Sequence, residues 1–151
     1  MMVGLYWEEW EVGKSFETAA RTVTETDVVN FAGISGDYNP LHINEEYCKK
    51  TQFGTRIAHG PLVYAIAAGL LFQLHLYDDT LIAFLGFESL KFTKPVKIGD
   101  TIYAKVTVTE VTETSKPDRG VMKRQLQVIN QHGEVVQDGV QAFLMKRRPQ
   151  S

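Results

Sequence analysis

Apolar and polar positions change period along the chain, and each change marks an element. Ile102, Ala104, Val106 and Val108 alternate with Tyr103, Lys105, Thr107 and Thr109, the period-two signature of a half-buried strand. Two more extended runs follow, from about Met122 to Asn130 and from Val135 to Lys146. His132-Gly133 supplies a tight turn between them, and Lys116-Pro117-Asp118-Arg119-Gly120 a polar turn before them. Successive strands of this kind predict an antiparallel meander. Leu81 to Phe92 is apolar enough for a further strand, closed by Lys94-Pro95 and the turn Ile98-Gly99-Asp100. Nearer the start, an amphipathic extended stretch spans about Ser15 to Thr24.

Helical patterning lies between these strands. Thr24 followed by Asp27 caps a helix carrying Val28, Val29 and Phe31, which should end near Gly33 to Gly36. A loop from Ser35 to Pro40 comes next, and Asn44 with Glu45 and Glu46 opens a short helix reaching about Thr51. From Gly60-Pro61 to His75, apolar side chains fall on almost every face, the mark of a helix that is buried all round. A five-stranded antiparallel sheet curled around this one central helix is an economical way to cover it. The expected fold is therefore α+β, of the hotdog type. Such a sheet leaves an exposed edge, which a second copy of the chain would cover.

Composition narrows the function. At 151 residues and 17.0 kDa, with 44% apolar and 23% charged residues, the chain suits one domain with an ordinary core. A net charge of −2 and a pI near 6.1 leave Lys146, Arg147 and Arg148 as the only concentrated basic residues, so nucleic acid is not an expected partner. The longest apolar stretch, Leu62 to Phe72, is too short to cross a bilayer, for which about 18 to 20 residues are needed. A lone cysteine, Cys48, and an N-terminus without a basic start and apolar run point to a reducing cytoplasm. The single cysteine and four histidines lack metal-ligand spacing, and no metal is expected.

The segment Ser35-Gly36-Asp37-Tyr38-Asn39-Pro40-Leu41-His42 carries the candidate chemistry. Pro40 fixes its own backbone and biases Asn39 towards an extended conformation, so Asp37 and His42 can be held against one water molecule. A carboxylate can accept a proton from that water, and an imidazole can return one near neutral pH. The same residue types also make an ordinary turn. A second segment, Arg56-Ile57-Ala58-His59-Gly60-Pro61, precedes the buried helix. There the free N–H groups of a helix N-terminus and a glycine without a side chain can form an oxyanion hole at Gly60. His59 serves equally well as a helix-capping or packing residue. His75 reads as a favourable charge at a helix C-terminus and His132 as a turn residue, whereas Arg56, Lys91, Lys94 and Lys97 are candidates for phosphate contacts or simply exposed cations.

Gly36-Asp37-Tyr38-Asn39-Pro40-Leu41-His42, Ile57-Ala58-His59-Gly60, and Phe92-Thr93-Lys94-Pro95-Val96 with Gly99-Asp100-Thr101, in that order, resemble the MaoC-like dehydratase family, which includes the (R)-specific enoyl-CoA hydratases. The resemblance runs from about Val12 to Lys146. It implies reversible hydration of a trans-2-enoyl thioester to the (R)-3-hydroxyacyl product, at an active site close to a dimer interface. Asp37 and His42 then form the catalytic pair, Asn39 supports them, and the Gly60 N–H is the oxyanion donor, with His59 beside it. No cofactor is implied beyond the coenzyme A or acyl carrier protein that the substrate carries. Two departures, Ala68 where many such hydratases carry serine and Pro61 where a larger apolar residue is common, bear on acyl-chain preference. A thioesterase of the same fold and a non-catalytic acyl-thioester-binding subunit are the alternatives.

Overall fold

The computed structural model describes residues 3–150. Six strands form one antiparallel sheet: β1 (Ser15–Glu17), β2 (Arg21–Thr22), β3 (Leu81–Phe92), β4 (Thr101–Glu113), β5 (Arg119–Asn130) and β6 (Val135–Lys146). Their order is β1-β4-β5-β6-β3, with β2 also paired to β4. The β4-β5-β6 meander is the expected one. The early extended stretch differs from expectation: Thr18 to Ala20 leave the ladder, and one strand becomes two short pieces. The sheet thus has six strands rather than five, although they fill the hotdog arrangement.

The long strands form where their inward positions are apolar. Ile102, Ala104, Val106 and Val108 of β4 are buried, as are Met122, Leu126 and Val128 of β5. Turns fix their register. Gly99 and Gly133 adopt positive φ, which glycine tolerates without a steric penalty.

The described residues also hold a 3-10 helix (Trp7–Glu9) and four α-helices: α1 (Glu25–Ser35), α2 (Pro40–Ile43), α3 (Glu45–Cys48) and α4 (Gly60–Phe72). Thr24 and Asp27 make a reciprocal capping box at α1, and Gly36 ends it in the left-handed conformation. The short helix expected to open at Asn44 is α3, which ends at Cys48 rather than near Thr51, and a further short helix, α2, precedes it. Pro40 starts α2 at a first-turn position, and Asn44 ends it while its side chain accepts from Tyr47 N–H to begin α3.

Helix α4 is the piece around which the rest is arranged. Leu62, Val63, Ile66, Ala67, Leu70 and Leu71 pack with Val23, Val28, Ile102, Ala104, Val106, Leu126, Val128 and Val136 in one core. The expectation that α4 is buried on all sides needs correction. Pro61, Ala65 and Phe72 are exposed, so the apolar sequence covers an inner face and an outer one. The helix also stops at Phe72, short of His75, which takes φ +57° and bonds Asp78 through Nδ1 at 2.6 Å. A second core gathers Trp10, Val108, Met122, Phe143 and Met145. The N-terminal segment, in which no element was expected, closes that end: Trp10 is buried, and Trp7 Nε1 donates to Val121 O at 3.0 Å.

β3 differs from its neighbours. Among the described residues it ends the sheet, pairs only with β6, and shows three register shifts against it. Ile82, Phe84, Leu85, Phe87 and Phe92 along it are large, apolar and exposed. No helix of the described residues is long and apolar enough to cross a membrane.

The packing of α4 predicts that Leu71→Ala, which empties a fully buried position at the centre of the main core, lowers unfolding free energy by about 3 kcal/mol. Urea denaturation followed by far-UV circular dichroism measures this. A loss under about 1 kcal/mol would mean that the sheet does not grip α4 as described.

Candidate active site

Three segments converge where α4 begins. The turn after α1 brings Asp37, α2 brings His42, and the start of α4 brings Gly60 with His59 just before it. Local hydrogen bonds account for the turn. Ser35 Oγ accepts from Asp37 N–H at 3.1 Å, Asp37 Oδ1 from Asn39 N–H at 3.2 Å, and Asn39 Oδ1 from Leu41 N–H at 3.0 Å. Each polar side chain folds back onto the backbone two residues on, the usual use of Ser, Asp and Asn in turns. The Asn39 carboxamide therefore caps α2, the helix on which His42 rides.

Both imidazoles are oriented by backbone carbonyls. Ile57 O accepts a hydrogen bond from His42 Nδ1 at 2.7 Å, which turns Nε2 towards Asp37. That Nε2 lies 3.9 Å from Asp37 Oδ2, too far for a direct hydrogen bond. Asp37 O accepts from His59 Nε2 at 2.9 Å, so His59 holds the backbone of the residue whose carboxylate faces His42. The two rings stack at 3.7 Å with an interplanar angle of 26°, and Phe31 packs on His59 at 4.9 Å. His59 is buried and its Nδ1 has no partner. It acts from behind His42, whereas the Asp37 side chain is 51% exposed.

Asp37, His42 and His59 place their ligand-type atoms within 4.8 Å of one another, a convergence that the sequence spacing did not suggest. The geometry does not suit one cation. Nitrogen lone pairs lie in the ring plane, and two rings stacked face to face direct theirs side by side rather than at a common point.

Gly60 is the first residue of α4. No side chain caps this helix, and Pro61 follows in its first turn, so the opening N–H groups keep the unpaired character of a helix N-terminus. A Cβ on Gly60 would stand 2.5 Å from the Phe92 ring. The bare α-carbon thus lets Phe92 close over the helix start. Gln137 of β6, also buried, donates from Nε2 to Gly60 O at 2.7 Å. Ala58 N–H bonds Val96 O at 2.7 Å, tying this loop to the segment after β3. A cavity of about 300 Å³ opens here. His42, Gly60, Phe53, Phe92 and Val63 line it, with Gln137 and the segment from Thr93 to Val96.

The structure thus unites Asp37, Asn39, His42, His59 and Gly60. Sequence reasoning missed Gln137. Its signal was an amide at an inward position of a strand, obscured because Val136 beside it is also buried. Of the cations considered for phosphate contacts, Arg56 is already engaged: Glu25 and Glu45 bond it at 2.9 and 3.1 Å and hold its guanidinium above its ordinary pKa. Lys94 lines the cavity but pairs with Glu134. Cys48, on α3, is fully buried, and burial pushes its thiol up, away from nucleophilic use.

The site is thus a carboxylate and two imidazoles gathered at the uncapped N-terminus of the one helix that the sheet wraps. Residues 8–131 match the model of the MaoC like domain, and the chain belongs to this family. It is 41% identical over 115 residues to an (R)-specific enoyl-CoA hydratase of Rhodospirillum rubrum, covering 74% of each chain. It is 39% identical to a 3-hydroxybutyryl-CoA dehydratase of Methylorubrum extorquens, covering 71% of this chain and 66% of that one. A solved structure from Archaeoglobus, described as a monoamine oxidase regulatory protein, superposes with a TM-score of 0.91 at 39% identity, covering 98% of both chains.

Because Asn39 caps α2, Asn39→Ala should cost about 1 kcal/mol of stability, while Asn39→Asp, which retains an acceptor, should cost only a few tenths. Paired urea melts measure both. Equal losses would show that the side chain does not act as a cap.

Proposed function

We propose that this protein is an (R)-specific enoyl-thioester hydratase, equally a 3-hydroxyacyl-thioester dehydratase, that adds water reversibly to a trans-2-enoyl thioester. The observation that carries the reading is the juxtaposition of Asp37 and His42 Nε2 across 3.9 Å, beside the open N-terminus of α4. That gap admits one water molecule in contact with both groups. The thioester carbonyl lies on the Gly60 N–H, which stabilises the negative charge that builds on oxygen as the β-carbon is attacked. Asp37 takes a proton from the water as its oxygen bonds the β-carbon, and His42, carrying a proton on Nε2 when the step begins, gives that proton to the α-carbon; the proton on Asp37 then passes to His42 and restores the pair. Dehydration runs the same steps backwards.

Asn39 and His59 act as positioning residues, the first through the α2 cap and the second through the Asp37 carbonyl. Hydration needs no group beyond the coenzyme A or acyl carrier protein that brings the acyl chain. Cys48, a free thiol, suits a reducing cytoplasm. The names of the relatives, a hydratase and a dehydratase, favour this reaction over thioester cleavage.

The active unit we propose is a homodimer, or a larger assembly of dimers. β3 is twelve residues long and pairs only with β6, which leaves its other edge free. That edge carries Phe84, Leu85 and Phe87, and the exposed side of α4 adds Phe72. An unpaired apolar edge of this length is normally covered. A second copy, related by a twofold axis, would cover it with the same surface.

Hydration of a straight-chain 2-enoyl-CoA in deuterated water tests the reaction. Both acting groups come from one short segment, so they reach one face of the flat substrate. The expected product is (R)-3-hydroxyacyl-CoA with deuterium on the same face as the hydroxyl. Asp37→Asn and His42→Ala should each lower turnover by about 10² to 10⁴ without unfolding the protein, and the double variant should be little worse than the poorer single one. An (S) product, or near-wild-type turnover in either variant, defeats the assignment. Charge placed on the free edge by Leu85→Asp should convert the dimer to monomers in light scattering. An unchanged mass would show that β3 is not the contact.

A further inference from the structure

The plane of the His42 ring and the edge it turns to Asp37 are set by different groups. Stacking on His59 at 3.7 Å holds the plane, yet a half-turn about the Cβ–Cγ bond leaves that plane unchanged while it exchanges nitrogen for carbon at each edge. The bond from His42 Nδ1 to Ile57 O at 2.7 Å is what sends Nε2 towards Asp37. Ile57 is itself held on both sides. Its N–H donates to Leu41 O at 3.0 Å, and the next N–H, of Ala58, donates to Val96 O at 2.7 Å. Ile57 also forms an antiparallel bridge with Lys97. The aim of the proposed acid–base group therefore depends on where residues 55–58 are held.

An ionic clamp lies immediately before Ile57. Both oxygens of Glu45, the first residue of α3, are used: Oε1 accepts from Thr55 Oγ1, and Oε2 accepts from the Arg56 backbone N–H at 3.4 Å and from its Nε at 3.1 Å. Arg56 Nη1 pairs with Glu25 Oε1 of α1 at 2.9 Å. One planar guanidinium thus ties α1 and α3 to the 55–58 segment with a different edge turned to each carboxylate, a geometry that a lysine ammonium cannot reproduce. Its side chain is only 18% exposed. Thr55 and then Arg56 hold the Glu45 carboxyl below the usual carboxylate range, so the pair stays charged at neutral pH. Cys48, also of α3, donates from Sγ to Pro40 O and Leu41 O at 3.3 Å each, so α3 grips both partners of the Leu41–Ile57 bond. Ile57 and Ala58 line the cavity, whereas Arg56, Glu25 and Glu45 do not.

We propose that Arg56, clamped by Glu25 and Glu45, is a positioning residue for His42: it fixes the Ile57 carbonyl and, through it, the direction of His42 Nε2. Misplacing a reacting group by about 1 Å can cost about 10²-fold in rate, so loss of the clamp acts on turnover. The inference rests on the hydratase reading for His42 as the group that moves the α-carbon proton. Arg56 touches no substrate and transfers no proton.

Crotonyl-CoA hydration, calorimetric titration with unreactive butyryl-CoA, and NMR of protein carrying isotope-labelled histidine test it together. Arg56→Gln should lower kcat about tenfold or more and leave butyryl-CoA affinity within about twofold of wild type. Glu45→Gln should do the same, and the double variant should be little worse than the poorer single one. Arg56→Lys keeps the charge without the fork and should restore little. Glu46→Gln, next to Glu45 but paired with Lys49 at the surface, should change nothing. The His42 Nδ1 proton, identified by its loss in His42→Gln, should give one resonance in wild type and Glu46→Gln, and should broaden or shift in Arg56→Gln and Glu45→Gln. Should Arg56→Gln fail to fold, Glu45→Gln, of equal size to the native residue, carries the same expectations. Wild-type turnover in these variants, weaker butyryl-CoA binding at unchanged kcat, or a lowered kcat with the His42 resonance unmoved each overturns the proposal. If the wild-type protein hydrates no enoyl-CoA, the hydratase reading falls, and the NMR comparison still decides whether the clamp orients His42.

Discussion

Everything at the site depends on leaving one end of a buried helix uncapped. Helix α4 is held by its inner face, where Leu62, Val63, Ile66, Ala67, Leu70 and Leu71 pack with the sheet. Burial on that scale stabilises the helix by tertiary packing. Its N-terminus can therefore do without a side-chain cap. The unpaired N–H groups that would be a defect in an isolated helix become a fixed dipole facing the cavity. Gln137 and Phe92 then hold Gly60 from opposite directions, one by a hydrogen bond to its carbonyl and the other by occupying the space a side chain would need.

The proposed acid–base groups are oriented by the backbone. Ile57 O fixes His42 and Asp37 O accepts from His59, so the loops entering α2 and α4 lock one another through two imidazoles. Such an arrangement keeps side-chain carboxylates out of the orienting role. Asp37 keeps one oxygen for its own turn and another near His42. The stack of His42 on His59 adds a rigid wall at little entropic cost, since the buried ring has nowhere else to go.

The interior is less uniformly apolar than the composition suggests. Gln137, Gln141 and Arg124 are buried in the sheet, and each needs partners supplied by other elements. Gln137 finds Gly60, Gln141 bridges Arg124 and Tyr64, and the guanidinium rests on aromatic rings. Buried polar groups of this kind specify geometry more than they add stability.

The sequence by itself determined the elements whose cause is local. β4 followed from alternation, β5 from an extended run bounded by turns, α1 from its Thr24–Asp27 cap, and the turns at Gly99 and Gly133 from residues that tolerate positive φ. The segments carrying Asp37, His42, His59 and Gly60 were legible because turn-forming and chemically active residues share short, ordered motifs. What depends on distant partners was hidden. The role of Trp7 and Trp10 in closing the second core, the break of the early strand into β1 and β2, and the exposed outer side of α4 leave no periodic trace. Gln137 meets Gly60 across 77 positions, and Tyr64 meets Gln141 across the same number. A hydrogen bond between residues so far apart is decided by how the sheet curls around the helix, and a local pattern carries information only about neighbours within a turn or two.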